Sequence, residues 1–156
     1  MKILMKTKEV KMRLSWDEYF MKISNLVATR STCNKIAVGC VITKDCRIIG
    51  TGYNGAPIGL PHCIDEGCIE IDKHCIRSLH AEVNAILQCA MHGISTRGSI
   101  IYVTHLPCWH CSLMLINAGI SKIIYVNDYI DDRGNQYDLF KQANVGVERH
   151  NVPMDF

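Results

Sequence analysis

Residues 80–126 read HAEVNAILQCAMHGISTRGSIIYVTHLPCWHCSLMLINAGISKIIYV, and this stretch decides the fold. Ala81 to His92 has helical spacing, with Val83, Ile86, Leu87 and Ala90 on one face and Gly93 as a stop. Ser99 to Thr104 is a short apolar run that reads as a buried strand. Pro107 opens a second helix, where its missing amide costs nothing, and the helix continues through Leu113, Leu115 and Ile116 to Gly119. Lys122 to Val126 is the next strand. Right-handed crossovers place the two helices side by side on one sheet face, with their N-termini at the same edge.

Outward from this core, Ser15-Trp16-Asp17-Glu18 matches a capping box, and Tyr19, Phe20, Ile23, Leu26 and Val27 predict a helix to about Thr29. Ala37–Ile42 and Arg47–Tyr53 flank the polar turn Thr43-Lys44-Asp45 and read as a hairpin. Asn54 to about Leu79 is irregular, with three Cys and two His; loops of that length need a function or an anchor. Tyr137 to Asn144 predicts a short helix and Val145 to His150 an edge strand. This order of elements predicts an α/β chain, a three-layer α/β/α sandwich with a mixed central sheet. A single domain over 1–156 is expected, with 1–14 as a frayed, lysine-rich extension.

Composition excludes several classes. The chain has 156 residues, 48% apolar and 21% charged, as ordinary globular domains do. Its net charge of +2 is too small for a dedicated nucleic-acid binder, so no stable nucleic-acid partner is expected. No apolar run approaches the roughly 20 residues of a membrane span, and no secretory signal is evident, so no membrane partner and a cytoplasmic location are expected. Cysteine stands out at nine, an odd number, in a chain long enough to build a core without disulfides. Such cysteines are metal ligands or small buried residues, and Cys40, Cys46 and Cys89 fall in strand or helix patterns that suit buried thiols.

The strongest chemical signal is His80-Ala81-Glu82 with Pro107-Cys108-Trp109-His110-Cys111. Cys108 and Cys111, three apart at a helix start, present both sulfurs on one side, where the helix N-terminus favours thiolates. With His80 they make two thiolates and one imidazole, leaving zinc one open position, the catalytic arrangement. Glu82 lies outside the ligand set and beside it, placed to shuttle a proton from an activated water to a leaving amine. A His-x-Glu followed by Pro-Cys-x-x-Cys is the known signature of zinc nucleobase deaminases.

With Ala28-Thr29-Arg30-Ser31-Thr32-Cys33, Val38-Gly39, Thr51-Gly52-Tyr53-Asn54-Gly55, His74-Cys75-Ile76-Arg77 and Tyr102-Val103-Thr104-His105-Leu106, these strings cover roughly residues 15 to 130. The chain resembles the deoxycytidylate (dCMP) deaminases of the cytidine-deaminase-like superfamily. This is the type found in bacteria and phages, which includes late-competence proteins. The resemblance implies hydrolysis of dCMP to dUMP and ammonia, feeding dTMP synthesis. It implies zinc on His80, Cys108 and Cys111, with Glu82 as the shuttle. It also implies a homohexamer with dCTP and dTTP as effectors, and Mg2+ accompanying the regulatory nucleotide. Arg30, Ser31 and Thr32 match the family's phosphate segment and Asn54 its sugar contact. Gly52, Tyr53 and Gly55 match an allosteric-nucleotide motif, and Tyr129 is placed to stack on the base. Lys35 is a spare cation.

Cys33, Cys63, Cys68 and Cys75 fall in irregular segments with no apolar face to join, so a second, structural zinc is expected on them. His74 or His62 could replace one cysteine, and Lys73 and Arg77 could offset the charge. Some phage relatives carry such a zinc, with cysteines matching Cys33 and Cys63. Two other readings compete: a different nucleobase deaminase of this fold, and a non-catalytic module scaffolded by zinc. Scaffold zinc needs no proton shuttle, and Glu82 is present.

Overall fold

The computed structural model describes residues 12–151. Helix α1 (Trp16–Ala28) begins at a full capping box: the Glu18 amide donates to Ser15 Oγ at 3.2 Å, and Ser15 N donates back to Glu18 Oε2 at 2.8 Å. Strands β1 (Gly39–Lys44) and β2 (Arg47–Tyr53) form an antiparallel hairpin. The turn between them is Asp45-Cys46, both at positive φ (51° and 55°), as a two-residue turn of this hand requires. The sequence expectation of a Thr43–Asp45 turn and a buried Cys46 is corrected: β1 continues through Lys44, and Cys46 is an exposed turn residue. Cys40 and Cys89 are buried, as expected.

The segment after β2 is not structureless. It holds a one-turn helix, α2 (Cys63–Glu66), and a small hairpin of β3 (Glu70–Ile71) and β4 (His74–Cys75). Then follow α3 (Ala81–Met91), β5 (Ile100–His105), α4 (Trp109–Asn117), β6 (Lys122–Asn127), α5 (Gln136–Gln142) and β7 (Gly146–Arg149). The main sheet runs β2-β1-β5-β6-β7, antiparallel at β2-β1-β5 and parallel at β5-β6-β7. It is the mixed sheet of the expected three-layer α/β/α sandwich.

Strand alternation divides the core. Val41, Tyr102 and Ile124 face α1, packing on Phe20 and Met21. Cys40, Ile42, Ile101, Val103, Ile123 and Tyr125 face the opposite layer, where α3, α4 and α5 contribute Ala85, Leu115 and Phe140. Two glycines let helices touch the sheet. A Cβ on Gly39 would lie 2.0 Å from Ser24 O of α1, and one on Gly52 would lie 2.2 Å from Ala81 O of α3.

That close approach corrects the expected face of α3. Ala81, Ala85 and Cys89 are buried, whereas Leu87 and Ala90 are exposed. A helix seated on Gly52 can present only small residues to the sheet, so size overrides hydrophobicity in choosing the buried stripe. Helix α4 likewise starts later than Pro107 predicts. Cys108 is its N-cap, with extended backbone (φ −65°, ψ 169°). Residues 12–14 carry no regular structure, and the rest of the expected frayed extension lies outside the described residues.

Candidate active site

The sheet edge at the N-termini of α3 and α4 gathers the chemistry, as the topology predicts. His80 is the N-cap of α3 and Cys108 that of α4. His80 Nδ1 lies 3.4 Å from Cys108 Sγ and 3.4 Å from Cys111 Sγ, and all three donor atoms fall within 4.8 Å of one another. Bonds of ~2.0–2.3 Å to a tetrahedral zinc ion put its donors roughly 3.5 Å apart, so this trio fits the metal. Cys108 Sγ also accepts the Cys111 amide at 3.5 Å, which binds it to the positive end of α4.

The protonation pattern of the trio suits a cation. The Cys108 thiol is pulled down to about 4 by hydrogen bonding from Cys111, with His80 adding to the effect against burial. Its partner Cys111 is pushed up by sharing that proton with Cys108 and by burial. His80 rises to about 8 through its hydrogen bond to Cys108. One thiolate, one thiol and an imidazolium leave protons that a dication would displace.

Glu82 is buried, 4% exposed, on the first turn of α3. Burial raises its carboxyl to about 7, against the opposing pull of His80. Such a group can hold or release a proton near neutrality, which is what general acid–base work requires.

His80, Glu82 and Cys108 line a cavity of about 300 Å³, at the small end for ligand sites. Asn54 and Tyr129 line it too, as do Cys33 and Cys75. Asn54 is held rigidly. Its Oδ1 accepts from Ser31 Oγ (2.6 Å) and Val38 N (2.9 Å), and its Nδ2 donates to Ile36 O (2.7 Å). One Nδ2 hydrogen remains for a ligand. Ser31 and Thr32 are joined to the site through Asn54: Ser31 Oγ donates to its Oδ1 and Thr32 N to its carbonyl at 3.2 Å, while Thr32 Oγ1 pairs with His62 Nδ1 at 3.0 Å outside the lining. Arg30 is exposed and is not among the residues lining the cavity. Gly52 lies under α3, Tyr53 O accepts from Asn84, and Gly55 pairs with Leu79 in an isolated bridge.

Three of the four cysteines expected in a second cluster come together: Cys63, Cys68 and Cys75, with Cys63 Sγ 3.6 Å from Cys75 Sγ. Cys33 lies outside that group, its sulfur accepting the Lys35 amide at 3.4 Å, and neither His62 nor His74 belongs to it. Burial and hydrogen bonds to Cys75 and Cys68 push the Cys63 thiol up to about 12.

Sequence reading gave Lys73 and His74 only a role beside the second cysteine cluster, and it missed the Asp131–Arg133 pair. Lys73 and His74 line the cavity from the small hairpin. Asp131, in the loop after β6, accepts the Trp109 amide at 2.6 Å beside Cys108, and Arg133 binds the same carboxylate through two hydrogen bonds of 2.7 Å. Only the turn-forming run Asp131-Asp132-Arg133-Gly134 marks that loop in the sequence, and it carries no metal or catalytic signature.

A mixed sheet with a His-Cys-Cys trio at one edge, and a buried acid beside it, defines the zinc-dependent hydrolytic deaminases. The chain belongs to the cytidine and deoxycytidylate deaminase family, whose zinc-binding-region model matches residues 14–127. It is 51% identical to ComE operon protein 2 of Bacillus subtilis over 88% of this chain and 72% of that one. With deoxycytidylate deaminase of Saccharomyces cerevisiae it shares 38% identity over 88% of this chain, spanning 46% of the yeast protein. Among solved structures it is similar to the dCMP deaminase of cyanophage S-TIM5 in complex with dCMP and dUMP. That match has a TM-score of 0.77 and 33% identity, over 89% of this chain and 99% of the phage chain.

Proposed function

We propose that this chain is a zinc-dependent dCMP deaminase, converting dCMP and water to dUMP and ammonia. The observation that carries the reading is Glu82, a buried acid poised near neutrality beside a trio that fits zinc. His80, Cys108 and Cys111 would hold the zinc, which when bound would supply a water nucleophile at neutral pH. Glu82 takes one proton of the attacking water and places it on pyrimidine N3; it then takes the proton of the new C4 hydroxyl and delivers it to the amine, so that C4=O forms as the C4–N bond breaks and ammonia leaves. Asn54 offers its remaining Nδ2 hydrogen to the sugar, and Tyr129 stacks on the base. Arg30, exposed and outside the cavity lining, is a second cation for the 5′-phosphate, while the Ser31 and Thr32 hydroxyls are committed to protein partners.

Similarity to the phage enzyme solved with dCMP and dUMP supports the substrate. Ammonia release from dCMP, dCTP, deoxycytidine and adenosine-containing RNA, assayed side by side, tests it. Preference for any substrate other than dCMP overturns the reading.

The finer features are part of the same reading. A second zinc sits on Cys63, Cys68 and Cys75, with Cys33 as the fourth ligand. The chain forms a homohexamer in the cytoplasm, with dCTP and Mg2+, or dTTP, acting at Gly52, Tyr53 and Gly55. Supporting a location off the membrane, no described helix is long and apolar enough to cross one.

A further inference from the structure

The two ends of the cavity differ in burial and charge. Glu82, Cys108 and Asn54 are buried in its wall, whereas Lys35 and Lys73 are exposed at its open side, as is His80 beside Glu82. Lys35 is already neutralised: its Nζ lies 2.7 Å from Glu70, and it also donates to the Lys73 carbonyl at 3.2 Å. Lys73, by contrast, has no ion pair among the described residues. Its ammonium is the uncommitted positive charge of the cavity wall.

Local structure fixes where that charge is presented. Asp72 and Lys73 form the tight β3–β4 turn, both at positive φ (48° and 67°). The next two residues are His74, on the cavity wall, and Cys75, which packs against Cys63 and Cys68. The cysteine cluster therefore ties down the hairpin that carries Lys73, and Lys35 clamps its backbone from the other side.

We infer that Lys73 determines the preference for a 5′-monophosphate over a nucleoside. With the pyrimidine ring at the His80–Glu82 end, a nucleotide filling this cavity turns its dianionic phosphate toward the mouth, where a charge-assisted contact to Lys73 is available. This rests on the deaminase reading only for the orientation of the ring.

Binding of dUMP and of deoxyuridine, which do not turn over, tests the inference by calorimetry on the zinc-loaded protein. Lys73→Asn removes the charge while suiting the left-handed backbone, and Lys73→Arg keeps the charge. The expected result is a loss of about tenfold in dUMP affinity for Lys73→Asn, with deoxyuridine unchanged and Lys73→Arg within about threefold of the parent. An intact dUMP preference in Lys73→Asn, or an equal loss for both ligands, overturns it. Turnover of dCMP by the parent is read separately. No turnover with a Lys73-dependent preference defeats the deaminase reading alone; turnover with a Lys73-independent preference defeats this inference alone.

Discussion

The Asp131 carboxylate accepts the Trp109 amide proton at 2.6 Å, so a buried acid from the loop after β6 caps the helix that begins one residue past Cys108. Its side chain is fully buried, and Arg133 satisfies both its oxygens. Burial opposes the charge, but the Arg133 contacts and two backbone amides outweigh it and bring the carboxyl from 3.8 to about 2. A depressed carboxyl stabilises the fold fully above the unfolded value and ceases to as pH falls through the folded one. Its contribution is therefore complete above about pH 4 and fades toward pH 2. Asp131→Ala is expected to cost about 2–3 kcal/mol in urea unfolding at pH 7. Asp131→Asn, which keeps an acceptor for Trp109, is expected to cost less and to flatten the acid limb of the stability profile. A profile of unchanged slope in Asp131→Asn would show that other carboxylates govern acid unfolding.

Glu82→Gln separates proton transfer from metal binding. Glu82 adjoins the metal trio without joining it. The variant is expected to retain its zinc, measured by metal analysis, and to lose a factor of roughly 10²–10⁴ in kcat, the usual worth of a positioned acid–base group. Activity within a few-fold of the parent would remove Glu82 from the mechanism.

Gly52→Ala tests packing at the sheet–helix contact. The added methyl would lie 2.2 Å from Ala81 O and 2.4 Å from Ala85 N, both backbone atoms that can move only with α3. Displacing α3 also displaces His80 and Glu82. A loss of about 1–3 kcal/mol in unfolding free energy is expected, together with weakened zinc retention. Unchanged stability, with altered response to dCTP alone, would instead assign Gly52 to nucleotide regulation.

How far the sequence predicts this molecule follows from the range of the interactions involved. The Ser15–Glu18 cap is legible because both partners lie within one helical turn. The His80, Cys108 and Cys111 trio is legible because crossover topology alone brings the two helix starts to one edge. The buried face of α3 is not, because Gly52 on another element selects it. Cys46 misleads because an Asp-Cys turn lacks the usual glycine signal, and its positive φ shows only in the fold. Lys73 is legible only as a charge beside the cysteine cluster: its place at the cavity depends on a hairpin whose pairing the loop sequence does not announce.

The cysteine cluster makes the last prediction. Cys63, Cys68 and Cys75 offer three sulfurs within 4.8 Å, in a segment whose only regular structure is one helical turn and two two-residue strands. So little secondary structure cannot bury enough apolar surface to order itself, and Ile64, Ile69, Ile71 and Ile76 there are all exposed. A tetrahedral zinc would supply the missing anchor, and it needs one more ligand than the cluster holds. Cys33 is the expected fourth: it shares the cavity wall with Cys75, and its sulfur accepts the nearby Lys35 amide. Closing the site would tie Cys33, on the cavity wall, to the β3–β4 hairpin that carries Lys73 and His74. Metal analysis of the purified parent is expected to give about two zinc ions per chain, from two sites of three or four ligands each. Cys63→Ser should fall to one and keep the catalytic ion, whereas Cys108→Ser should lose the catalytic ion and keep the other. Near one zinc per chain in the parent would reduce the cluster to packed thiols.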